Sequence, residues 1–135
     1  MRGTKPHLAA DPSGMASIPR PPAWLSKEAK GEWKRVVPLL VERRILTDGD
    51  LGTVANYCNA IGIVRQAQAE LTLTGLTFVT GSGQVKRSPA AGIVAEFSGL
   101  ALRLAAELGL TPVSRSRPAI RDDEGGDEDD ALGLS

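Results

Sequence analysis

From Trp33 the apolar residues recur at Val36, Val37 and Leu40, the i, i+3, i+4, i+7 spacing that lays a stripe along one side of a helix. Ser26 stands before the pattern as an N-cap, and Glu28 falls in the first turn, where negative charge is favoured. Lys27, Lys30 and Lys34 line the flank of the stripe, and Glu28, Glu32, Arg35 and Glu42 are expected around its solvated back. Pro38 lies inside the pattern and lacks a backbone donor, so the reading is a bent first helix or two short ones.

Thr47, Asp48 and Asp50 then read as a turn and a new helix start, with Thr47 capping the amide of Asp50. This second helix is predicted to run to about Leu73. Its main stripe is Leu51, Val54, Ala55, Cys58, Ile61 and Gly62, and a second row of Tyr57, Ile61, Val64 and Leu71 widens it beyond one face. A helix apolar on two sides in so small a domain implies packing against another subunit, which makes Tyr57, Ile61, Val64 and Leu71 the expected oligomer interface.

Gly75 ends that helix. Thr77, Phe78 and Val79 then face Gln84, Val85 and Lys86 across the turn "TGSG" as a short hairpin. Ser88 as N-cap and Pro89 at the first position open a third helix, closed by Gly109 and Pro112. Its predicted buried stripe is Ile93, Phe97, Leu100, Ala101, Leu104 and Leu108, with Glu96, Arg103 and Glu107 as a solvated row. The fold class is mostly α: a helical domain of about three helices with a short β-hairpin. Residues 1–22 hold five of the nine prolines and no apolar period, so they read as a disordered arm before a domain at 23–112. A basic strip at 113–121 and a disordered acidic tail at 122–135 follow.

Charge changes this picture. The formal net charge is zero, yet all 16 Lys and Arg lie in residues 1–121 with only 9 of the 16 acids, so the body carries +7 and residues 122–135 carry −7. Such asymmetry points to a polyanion partner and an acidic interaction tail. The cations fall into groups: Lys27, Lys30, Lys34 and Arg35 on helix one, Arg43 and Arg44 at its end, Lys86 and Arg87 on the hairpin, and Arg115, Arg117 and Arg121 after helix three. Groups of this kind make phosphate contacts, which set affinity without reading sequence. Arg43 and Arg44 read equally well as helix-end residues that complement the dipole.

Catalysis finds little support. The one histidine, His7, lies in the arm, and Cys58, the one cysteine, lies on the helix-two stripe as a small core residue. The loop "TGSGQVKRS" lacks phosphate-cradle spacing, and "DDEGGDEDD" lacks the ligand order of a calcium loop. No catalytic residue, metal site or cofactor is therefore expected. A single cysteine, no apolar run of about 20 residues and no signal-like segment point to a cytoplasmic chain with no membrane partner. The first two helices form only a weak helix-turn-helix match, without a clear recognition helix.

The elements "PPAWLSKEAKGEWKRVVPLLVERRILTDGDLGTVANYCNA", "GSGQVKRSPA" and "ELGLTPVSRSR" together resemble the small terminase subunits of tailed bacteriophages, over about residues 20–118. The branch is one that opens with Pro-x-Trp-Leu and closes with Leu-Gly-Leu-Thr-Pro-x-Ser-Arg. The resemblance implies a non-enzymatic protein of the host cell cytoplasm. It would assemble into a homo-oligomeric ring of about nine subunits, bind double-stranded concatemeric viral DNA, and deliver it to the large terminase subunit, which supplies ATPase and nuclease. It also implies DNA contacts at Lys86 and Arg87, and at Arg115 and Arg117 in the closing motif. A small transcriptional regulator and a protein-only adaptor are the alternatives.

Overall fold

The computed structural model describes residues 14–114. Helix α1 spans Lys27–Glu42, α2 spans Leu51–Thr74 and α3 spans Pro89–Glu107. Strands β1 (Thr77–Val79) and β2 (Val85–Arg87) form an antiparallel hairpin between α2 and α3. The chain is mostly helical, as expected. The expected arm up to residue 13, and the basic strip and acidic tail from residue 115, lie outside the described residues.

Ser26 caps α1, its Oγ accepting the Ala29 amide at 3.0 Å. Trp33, Val36, Val37 and Leu40 are all buried, as the period predicts. The helix is continuous through Pro38, so the reading as two short helices does not hold. Pro38 is half-buried, off the packed stripe, while Val36, Val37, Leu40 and Val41 pin the helix on both sides of it. Residues 14–22 belong to the segment read as an arm, and here they lie against the body. Met15 donates its amide to the Leu46 carbonyl at 2.8 Å, and the buried Trp33 indole donates to the Pro19 carbonyl at 3.0 Å. An indole inside a core requires such an acceptor.

A short 3-10 turn, Asp48–Asp50, leads into α2. The Asp50 carboxylate accepts from the Thr47 amide at 2.9 Å and from its hydroxyl at 3.0 Å, while the Asp50 amide bonds the Thr47 carbonyl. Helix α2 is the middle layer, with α1 packed on one side and α3 on the other. The main core joins Trp33, Val36, Val37 and Leu40 to Val54, Cys58, Ala101, Ala105 and Leu108. A smaller cluster of Ala67, Leu71 and Ala90 packs the far end. Gly62 is where α2 crosses the start of α1: a Cβ there would lie 2.9 Å from Ser26 Oγ and 3.0 Å from the Ala29 amide nitrogen.

The hairpin pairs Thr77 with Arg87, Phe78 with Lys86 and Val79 with Val85, so its second strand lies one residue later than expected. The cause is the loop. Gly83 has φ +90 and donates to the Thr80 carbonyl, and Thr80 with Gln84 closes a three-residue connection that sets this register. All six strand residues are exposed. Ser88 caps α3 through the Ala90 amide, and Gly109 at φ +73 ends it, with the Leu110 amide reaching back to the Ala105 carbonyl.

Candidate nucleic-acid interface

The cations of α1 separate into two groups. Lys27, Lys30 and Lys34 recur at i, i+3, i+7 along one flank, with Lys27 and Lys34 exposed and Lys30 half-buried. None of the three forms an ion pair among the described residues, so their charge can meet a phosphate backbone. Arg35 points to the other flank, where it binds Glu32 through Nε at 3.0 Å and Nη2 at 2.6 Å.

Glu32 corrects the expectation of a solvated back. Its side chain is 1% exposed, and it also accepts from Tyr57 Oη at 2.5 Å and Arg65 Nη2 at 3.1 Å. Burial alone would raise the Glu32 carboxyl. Hydrogen bonds from Arg35 and Tyr57, with the charges of Arg35 and Arg65, outweigh it and hold the group below its ordinary value. Burial first, and the bond to Glu32 second, push the Tyr57 phenol above its usual range. The Arg35 guanidinium is raised chiefly by its bond to the same carboxylate.

Arg43 and Arg44 part company. Arg43 donates to the Gly109 carbonyl at 3.1 Å and ties the end of α1 to the end of α3. Arg44 is exposed, in the left-handed region at φ 57. Lys86 and Arg87 are exposed on successive positions of β2 and so point to opposite faces of the hairpin. Arg87 leans toward the start of α3, its Nη2 lying 3.7 Å from where a Gly92 Cβ would stand. Arg115, Arg117 and Arg121 lie outside the described residues.

Two of the four residues read as an oligomer interface are buried within the chain. Tyr57 is buried and bonded to Glu32, and Leu71 is buried beside Ala67 and Ala90. Ile61 and Val64 are half-buried, and Ile61 packs on the main core. The two apolar sides of α2 are thus accounted for by α1 and α3. Large exposed apolar side chains lie at Leu73, Leu76, Phe78, Val79 and Val85 around the hairpin and at Ile93 and Leu102 on α3, and also at Ile18, Trp24, Leu39 and Val113. Cys58 is a core residue, as expected, and burial pushes its thiol up to about 12.

Arg65 is a polar partner that the sequence reading missed. It follows Cys58 at i+7 and Ile61 at i+4, which places a cation on the α2 stripe that faces α1. That stripe, set beside the acid at Glu32, is the signal that could have found it. Among the described residues no group of three or more His, Cys, Asp or Glu is placed to hold a metal ion, and no helix is long and apolar enough to cross a membrane. The family model described as phage terminase, small subunit, matches residues 29–125. No curated protein and no solved structure matches the chain.

Proposed function

The chain belongs to the phage terminase small-subunit family, with a role in packaging phage DNA, and from that premise we propose how it acts. It binds double-stranded concatemeric viral DNA through its cationic surfaces, assembles as a homo-oligomeric ring, and presents the DNA to the large terminase subunit in the host cell cytoplasm. It performs no catalysis itself.

The observation that carries the DNA reading is the row Lys27, Lys30 and Lys34, which has no ion-pair partner among the described residues. Lys86 and Arg87 add exposed charge on the hairpin. Self-assembly draws its support from surfaces that one copy leaves open. A two-stranded hairpin alone is marginal in water, yet this one carries Phe78, Val79 and Val85 in the open. In α3 the only charged residues are Glu96, Arg103 and Glu107, while Ile93 and Leu102 face outward. Apolar surface of this kind marks a protein contact.

Titrating duplex DNA with the full chain over a range of salt tests the DNA reading. Affinity falls steeply with salt, and changing Lys27, Lys30 and Lys34 together to Ala flattens the log–log slope by about 0.9 for each phosphate no longer neutralised. A wild-type affinity indifferent to salt would overturn it.

A further inference from the structure

Apart from Trp33, Tyr57 and Cys58, the buried side chains with polar groups among the described residues are Glu32 and Ser88, and Ser88 is a helix cap. Glu32 has no capping role. Its carboxylate lies between α1 and α2 and takes four hydrogen bonds: two from Arg35, one from Arg65 and one from Tyr57. Taking a carboxylate out of water costs several kcal/mol, and apolar residues in its place are often as stable. What the carboxylate provides here, and an apolar residue would not, is a fixed position for two guanidinium groups on neighbouring helices.

Both groups remain open to solvent, the side chain of Arg35 at 61% and that of Arg65 at 50%. A guanidinium has five N–H donors. Glu32 occupies two on Arg35 and one on Arg65, so three and four remain. The trio carries a net charge of +1 beside Glu28, which Gln66 holds one turn away on the same seam. The bonds to Glu32 restrict both guanidinium groups, so less side-chain entropy is lost when they engage an anion. A phosphodiester oxygen pair suits such forks better than it suits a lysine point charge.

We propose that Arg35 and Arg65, anchored by Glu32, form a two-helix clamp for a DNA backbone phosphate, with Glu32 and Tyr57 as positioning residues. The proposal rests on the DNA-binding reading above and adds Arg65 to it. The lysine row lies on the opposite flank of α1, so the clamp is a separate point of contact.

The test measures duplex affinity against salt for the full-length wild type and for Arg65→Ala, Arg65→Lys and Glu32→Gln. Arg65→Ala flattens the log–log slope by about 0.9 and weakens binding several-fold at low salt. Arg65→Lys restores most of the slope and less of the affinity, because the charge returns without the fork. Glu32→Gln discriminates between charge and position: it removes a negative charge, so a site acting through charge alone would bind DNA more tightly. Positioning predicts a several-fold loss instead, and an increase overturns the clamp. Arg65 is half exposed, so its variants report even if Glu32→Gln fails to fold. A wild type that binds with salt sensitivity beside an unchanged Arg65→Ala slope means the network only joins α1 to α2. A wild type without salt-sensitive affinity overturns the DNA reading itself.

Discussion

At the scale of single residues, the structure turns on two positions whose role the hydrophobic pattern does not reveal. Glu32 falls three residues after Ala29 and four before Val36, both fully buried, and so lies on the packed side of α1. A charge at a core position is legible only when its partners are known, and Tyr57 and Arg65 are 25 and 33 residues away. The folded Glu32 carboxyl is held below its ordinary value of 4.5. Its contribution is therefore complete above about pH 4.5 and is lost as pH falls through the depressed folded value. In urea unfolding followed across the acid range, Tyr57→Phe removes one bond to a buried carboxylate and costs about 1–3 kcal/mol near neutral pH. Its deficit shrinks as Glu32 protonates.

Gly62 is the second such position. Alanine favours a helix interior by about 1 kcal/mol over glycine, but a Cβ here meets Ser26 Oγ at 2.9 Å and the Ala29 backbone nitrogen at 3.0 Å. Backbone cannot move aside cheaply, and overpacking costs about 1–3 kcal/mol. Gly62→Ala lowers the melting temperature. Gly31→Ala, on the exposed side of α1 with nothing within 4 Å, raises it.

At the scale of elements, helix starts and stops were the most legible features, because each rests on local chemistry. Ser26 and Ser88 cap, Pro89 begins and Gly109 ends a helix where the sequence places them. The hairpin was legible in kind but one residue out in its second strand, since register follows from the loop conformation at Gly83. The width of the α2 apolar face was also legible, whereas its cause was not: periodicity shows that two sides are covered, not whether the cover is the same chain or another copy. With α1 and α3 packed on α2, the proposed contact between copies draws on the exposed apolar residues of α3 and the hairpin. Val79→Asp and Leu102→Asp, at sites 66% and 64% exposed, reduce the mass seen by light scattering and leave the helical circular dichroism intact. Ile61→Asp, packed on the main core, loses the helical signal itself.

At the scale of the whole molecule, the division of charge was fully legible, because it is a count along the chain. The body to residue 121 carries +7, and residues 122–135 carry −7. An acidic segment tethered to a basic body has a high effective concentration for it and competes with DNA at weak sites. Truncation after Arg121 therefore raises affinity for random duplex, most at low salt where screening is least. Equal affinity with and without those residues would leave docking on the large subunit as the better account of them. How the lysine row, the hairpin and the proposed clamp would share one DNA is not legible, because a relation between copies is written in no single chain.

Assembly and DNA binding meet in one experiment, sedimentation velocity of the full-length chain with and without duplex DNA at low and at moderate salt. The account predicts a single species many times heavier than the 14.2 kDa chain, which carries the DNA with it at low salt and releases it as salt rises. A species at the mass of one chain that leaves the DNA boundary unmoved at every salt concentration would contradict it.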